Sequence, residues 1–238
     1  MSALFEELAY SVTPMGELSL RRRKELTLGV DVYEIKLGDE FLMSSLFTKA
    51  EEELARLGLA ELDKDGLDVV VGGLGLGYTA REALKNGRVR ELIVVDTMKE
   101  VIDWHRQEIL PLGKDLNKDK RCRLVEGDFF KMAGTEGFDP EQPRRQFDAV
   151  LLDIDHSPED ILHESHSGFY TPEGLKSLQK FLCSDGVFAL WSNDPPHEAF
   201  TDLLSGTFQN VKTHVVEFDN PLQNMTSRNT VYVARNQG

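Results

Sequence analysis

The sequence is poor in the features that mark secreted, membrane-spanning or nucleic-acid-binding chains. Its 238 residues hold two cysteines, Cys122 and Cys183. They have no metal-like spacing, and both read as reduced thiols in apolar segments, a strand and a helix respectively. No run approaches the roughly 18 consecutive apolar residues of a membrane span. The opening MSALFEELAY carries two glutamates and no basic residue before its apolar positions, so it does not read as a secretory signal and a cytoplasmic chain is expected. Basic residues are scarce: 27 Lys and Arg face 41 Asp and Glu, a net charge of −14. Such a surface repels polyanions, which removes nucleic acid as an expected partner and leaves small, cationic molecules compatible. The one basic cluster, Arg21-Arg22-Arg23-Lys24, falls inside a strand-like segment and reads as a solvated edge or a subunit contact. Internal repeats, low-complexity tracts and long linkers are also missing.

The remaining pattern is ordered. Residues 11–45 alternate like short strands, with Leu18 and Leu20 after the turn Pro14-Met15-Gly16 and Val30 to Leu37 before the turn Gly38-Asp39. Leu46, Phe47, Ala50, Leu54 and Leu57 then repeat at helical spacing. From Asp68 the chain alternates short β-branched runs (69–71, 92–95, 122–125, 149–154, 187–191) with helical stretches at 79–86, 97–110 and 172–183. That succession predicts a doubly wound α/β sheet over 66–238, preceded by a short β-region and linking helix over 1–65. Val211–Phe218 and Thr230–Ala234 are joined too closely for a crossover helix and predict an antiparallel pair at one sheet edge. The stretch 131–146 reads as a mobile surface loop.

The first main-domain strand runs into Gly72-Gly73-Leu74-Gly75-Leu76-Gly77, and a helix opens behind it. Glycines there let backbone and a helix N-terminus approach a ligand. The next strand ends at Asp96, placed to accept from ribose hydroxyls, although an N-cap role fits it as well. The third ends in Gly127-Asp128, where Asp128 could accept from an adenine amino group. Because the glycines at 73, 75 and 77 are spaced G-x-G-x-G and not G-x-G-x-x-G, a nucleoside without a pyrophosphate is favoured over NAD. S-adenosylmethionine is the expected cofactor.

The fourth strand ends Leu152-Asp153-Ile154-Asp155-His156-Ser157-Pro158. Asp153 there could orient an amine or accept its proton, with Asp155 and His156 as further catalytic candidates. After the fifth strand, Trp191, Asn193 and Asp194 are candidates for the substrate side. His163 and His166 follow at spacings that match no tight metal site, so no metal is expected.

On these residues the chain resembles the spermidine synthase family, within the class I S-adenosylmethionine-dependent methyltransferases. The glycine turn, Asp96, Gly127-Asp128, Asp153, Tyr33–Glu40 and Phe169–Glu173 carry the resemblance. It implies a seven-stranded class I methyltransferase-like sheet, a small-molecule acceptor and a homodimer. It also implies an aspartate inside the glycine turn that holds the ammonium of an aminopropyl donor, where this chain has Gly75, and a channel tyrosine near Phe41–Ser45. An aminopropyl donor needs an anion at its ammonium, whereas S-adenosylmethionine brings its own carboxylate. Methyl transfer to a small amine is therefore the expectation. The alternatives are aminopropyl transfer from decarboxylated S-adenosylmethionine and a catalytically silent protein of the same fold.

Overall fold

The computed structural model describes residues 4–237; Met1–Ala3 of the N-terminal reading lie outside them. The chain begins with a four-stranded antiparallel meander, β1 (Phe5–Thr13), β2 (Gly16–Glu25), β3 (Val30–Leu37) and β4 (Glu40–Ser44). Leu18 and Leu20 on β2 and Ile35 on β3 turn inward and are fully buried. β1 begins six residues earlier than the alternation suggested, because its residues are mostly exposed and leave no period-2 signal. The basic run is not at an edge: β2 lies between β1 and β3. Arg22 pairs with Glu6 at 2.6 Å, and Arg23 with Glu34 and Glu25 at 2.7 and 2.8 Å. Arg22 and Arg23 are thus answered within the sheet, and Lys24 faces Asp31 at 3.5 Å.

α1 (Lys49–Ala60) links this meander to a seven-stranded sheet ordered β10-β11-β9-β8-β5-β6-β7. β5 (Leu67–Gly72), β6 (Val89–Asp96), β7 (Cys122–Glu126) and β8 (Phe147–Leu152) run parallel, with β9 (Leu182–Ser192) parallel to β8. β10 (Gln209–Asn220) and β11 (Met225–Arg235) form the expected antiparallel hairpin at one edge. The apolar central strands make this possible, since β5 and β8 bury every residue on both faces. Val69, Val71, Val94, Leu151 and Ala189 meet one helical layer, including Leu54 and Ala55 of α1; Val70, Val95, Leu152 and Phe188 meet the other. Gly58 brings α1 onto the sheet: a Cβ there would stand 2.7 Å from Leu151 Cδ2. The remaining helices are α2 (Tyr78–Lys85), α3 (Lys99–Arg106), α4 (Gly113–Lys118), α5 (Phe129–Gly134), α6 (Pro172–Gln179) and α7 (Glu198–Ser205).

Two expectations change. Cys183 belongs to β9 and not to a helix, since α6 stops at Gln179 and the chain is extended again by Leu182. The segment 131–146 is tethered: it begins in α5, buries Phe138, and inserts Asp139 between Arg123 (2.7 Å) and Arg145 (2.9 Å). Polar residues and glycines made that stretch look loose, but its ion pairs come from distant β7 and from its own C-terminal end.

The first strand of the parallel set, β5, lies between β8 and β6, so successive connections leave it in opposite directions. A crevice opens at that switch point, beyond the carboxyl ends of the strands. The fold thereby delivers the ends of β5, β6, β7 and β8 to one place.

Asp139 generates a stability prediction. Burial would raise its pKa, but hydrogen bonds from Arg123 and Arg145 outweigh that and hold the carboxyl at about 2. A folded-state pKa below the ordinary carboxylate value of about 4 contributes stability above pH 4, lost as pH falls toward 2. Asp139→Asn should cost about 1–3 kcal/mol at neutral pH and flatten the acid limb of the denaturation profile between pH 4 and 2. A wild-type acid limb in the variant would contradict this.

Candidate functional site

The glycine turn passes unusually close to the end of β8. The Asp153 amide donates to the Gly72 carbonyl at 2.8 Å, and the Gly73 amide to Val95 at 2.9 Å. A Cβ on Gly73 would lie 2.0 Å from the Asp153 carbonyl oxygen, and Gly73 has φ +94°. Only glycine fits. Gly75 (φ +44°) is closed off differently: its Cβ position is occupied by the Met43 thioether, whose sulfur also accepts from the Leu76 amide. The Gly75 carbonyl accepts from His105 Nε2 at 2.8 Å. Burial pushes the His105 pKa down to about 4, so the ring is neutral and Nε2 carries the donated proton.

These elements enclose a cavity of about 410 Å³. Gly73, Gly75, Asp96, Gly127, Asp128, Asp153, His156 and Trp191, all expected site residues, line it. Asp96 is fixed by the Leu74 amide at 2.9 Å on Oδ2 and the Met98 amide at 2.8 Å on Oδ1. Burial raises its pKa, and these amides pull against that. Asp128 caps α5 by accepting from the Lys131 amide at 3.1 Å, which leaves its second oxygen for a ligand. Asp153 accepts from Thr79 Oγ1 at 2.6 Å. Burial raises its pKa above the usual carboxylate range, only partly offset by that bond. His156 reaches the N-terminal meander, with Nε2 3.1 Å from Glu40 Oε1.

Other expected residues lie off the cavity wall. Gly72 is backed by the Phe129 ring, 2.5 Å from its Cβ position, and Gly77 (φ +91°) by Leu116 and His105. Both are needed for close packing and do not face the cavity. Asp155 is buried and turned away. It accepts from His166 Nδ1 at 2.7 Å, Tyr170 Oη at 2.8 Å and the Leu162 amide at 2.8 Å. It orders the loop 155–170 and does not line the cavity. Asn193 lines a neighbouring cavity, with its Oδ1 held by Asn229 at 3.0 Å, and Asp194 is exposed outside both.

Sequence reading missed His166, Met43 and Glu51 as contributors to the cavity wall. Phe130 and His166 stack with ring centroids 3.9 Å apart and form one wall. Met43 covers the turn. Glu51 enters from α1, and its carboxylate is raised by burial and by the charge of Asp153. A signal for Glu51 existed. It shares a helical stripe with the buried Leu54, Ala55 and Gly58, at i+3, i+4 and i+7, where an acid is out of place.

A family model described as the spermine/spermidine synthase domain matches residues 49–219. The chain belongs to this family. Relatives of the family include the polyamine aminopropyltransferase of Sulfolobus acidocaldarius, 27% identical over 77% of this chain and 57% of its own length. Polyamine aminopropyltransferase 2 of Pseudomonas aeruginosa is 27% identical over 62% of this chain and 41% of its own length. The chain thus spans about half the length of the curated relatives it matches. Among solved structures, spermidine synthase from Thermotoga maritima superposes with a TM-score of 0.73 at 16% identity, covering 96% of this chain and 72% of that one. It shares the α/β fold with the seven-stranded sheet. The family match and the named aminopropyltransferases overturn the expectation of methyl transfer. Gly75 supplies no anion, but Glu51, which the sequence reading did not weigh, lines the same cavity from α1.

The Asp155 geometry is testable by exchange. Asp155→Ala removes the acceptor of three donors, a loss of about 1–3 kcal/mol for each group left buried and unpaired. Amide exchange should accelerate over 155–170, Leu162 above all, with β8 unchanged. Unaltered protection of Leu162 would contradict the anchoring role.

Proposed function

We propose that this chain transfers an aminopropyl group from decarboxylated S-adenosylmethionine to a small amine. The observation that carries the reading is Asp153: a carboxylate of raised pKa, steadied by Thr79, that lines the cavity beside the glycine turn. The donor's fit rests on the cavity itself, where the approach at Gly73 and the acids at the ends of β6 and β7 suit a nucleoside. Its sulfonium supplies an electrophilic carbon and a neutral thioether leaving group.

The chain's own residues do the rest. Asp96, with each oxygen already held by one amide, keeps its remaining lone pairs for ribose hydroxyls. Asp128 offers its free oxygen to the adenine amino group. Phe130, Ile154, Val101 and Met98 supply apolar walls that exclude water. Asp153 orients the attacking amine and accepts its proton as the N–C bond forms and the C–S bond breaks, the electron pair of that bond going to sulfur. A base of raised pKa is better matched to that task near neutrality than an ordinary carboxylate. Trp191 stands on the acceptor side, where it lines both cavities. The acidic surface suits a cationic acceptor, and the two unpaired cysteines suit a reducing, cytoplasmic setting. A homodimer through the N-terminal meander is supported by Phe5, Tyr10 and Val12, which stand half or more exposed there.

Steady-state kinetics with decarboxylated S-adenosylmethionine and a diamine test the assignment. Asp153→Asn should lower kcat by about 10²–10⁴-fold. In the wild type, kcat/KM should fall with acidity at a pH above the ordinary carboxylate range of about 4, because Asp153 must be deprotonated to accept. An Asp153→Asn enzyme of unchanged kcat would remove Asp153 from the chemistry.

A further inference from the structure

Resting on the aminopropyl-transfer reading, we infer that Glu51 is the donor-specificity residue. With Asp153 it forms a two-carboxylate receptor that takes the ammonium of the transferred chain and rejects a donor that still carries its carboxylate.

Four acids line the main cavity: Glu51, Asp96, Asp128 and Asp153. Asp96 is held by two backbone amides, Asp128 by the amide it caps and Asp153 by Thr79. The Glu51 carboxylate has no hydrogen-bond or ion-pair partner among the described residues, although its own backbone carbonyl accepts from Thr79 Oγ1 at 3.2 Å. The same threonine therefore ties the Glu51 backbone and the Asp153 carboxylate together. The nearby cations are engaged elsewhere: Lys49 with Glu53 at 2.7 Å, Arg81 with Glu52 at 2.6 Å, and Arg228, across the neighbouring cavity, with Glu217 at 2.8 Å. Tyr78 and Glu52 are the other titratable groups beside Glu51, and neither supplies positive charge.

Burial and the charge of Asp153 raise the Glu51 pKa, and burial raises that of Asp153, so the pair tends to hold protons, and a ligand ammonium between them favours both charged forms. Glu51 and Trp191 line both cavities, so the receptor sits at their junction. There the Trp191 indole N–H is also buried with no acceptor. An indole N–H only donates, so it takes no part in holding an ammonium and leaves that to the two carboxylates. A donor bearing a carboxylate beside its amine would bring a third anion to the same spot. The receptor thus gives this chain discrimination against S-adenosylmethionine without any charge at Gly75.

The test uses three neutral thioethers: decarboxylated S-adenosylhomocysteine, which has the ammonium alone; S-adenosylhomocysteine, which has ammonium and carboxylate; and 5′-methylthioadenosine, which has neither. Calorimetry on the wild type should rank the decarboxylated compound above S-adenosylhomocysteine. Glu51→Gln should weaken the decarboxylated compound by roughly ten- to a hundredfold and leave methylthioadenosine unchanged, and Glu51→Asp should restore part of the loss. Binding of the ammonium draws both carboxylates toward their charged forms. Proton release, read from the buffer dependence of the binding enthalpy, should accompany the decarboxylated compound and shrink in Glu51→Gln. Equal weakening of decarboxylated compound and methylthioadenosine, or no change in either, overturns the receptor, as does a wild type that binds none of the three. A wild type that forms no aminopropylated amine, yet shows the selective loss in Glu51→Gln, keeps the receptor and sinks the transfer reading instead.

Discussion

The site depends on how closely the backbone at Gly73 passes the end of β8. With the Asp153 carbonyl 2.0 Å from where a Cβ would stand, and the Asp153 amide bonded to Gly72, two parallel strands are locked together at their carboxyl ends. That contact carries Asp153 inward and away from water, and the loss of hydration raises its pKa. Thr79, at the start of the helix that follows the glycine turn, then reaches Asp153 from the same junction. One close approach thus sets the position, the protonation and the orientation of the group assigned the proton.

Around that junction the structure uses acids for different ends, and chemistry separates them better than spacing does. Asp155 is two residues from Asp153, yet three donors consume it in ordering a loop. Asp139 is buried among arginines and holds a segment in place. Asp96 and Asp128 each serve a helix or turn with one lone pair and keep others for a ligand. Glu51 alone among the cavity acids has no partner of its own within the described residues. Counting carboxylates at a sheet edge cannot reveal this division of roles, which rests on which donors each one meets.

The sheet was legible because its central strands are apolar and buried on both faces and alternate with helical stretches. Asp96, Asp128 and Asp153 were legible for the same reason: each is the first polar residue after, or the last of, such a strand. β1 left little trace, since an exposed strand has no buried face to alternate with. The anchoring of 131–146 and the role of Asp155 depend on Arg123, His166 and Tyr170, whose meeting is a tertiary event. Glu51 sits in a run of three glutamates. Glu52 pairs with Arg81 and Glu53 with Lys49 and Arg56, and only the helical phase tells the first from the others. The mistaken preference for methyl transfer rested on the missing acid at Gly75, with no weight given to an acid arriving from α1.

The most direct measurement is mass spectrometry of the acceptor after the wild-type protein is incubated with S-adenosylmethionine and its decarboxylated form together, across a panel of diamines. The account predicts an amine that gains one aminopropyl unit, with methylthioadenosine as the co-product. An amine that gains a methyl group, with S-adenosylhomocysteine released and no aminopropyl product, would contradict it.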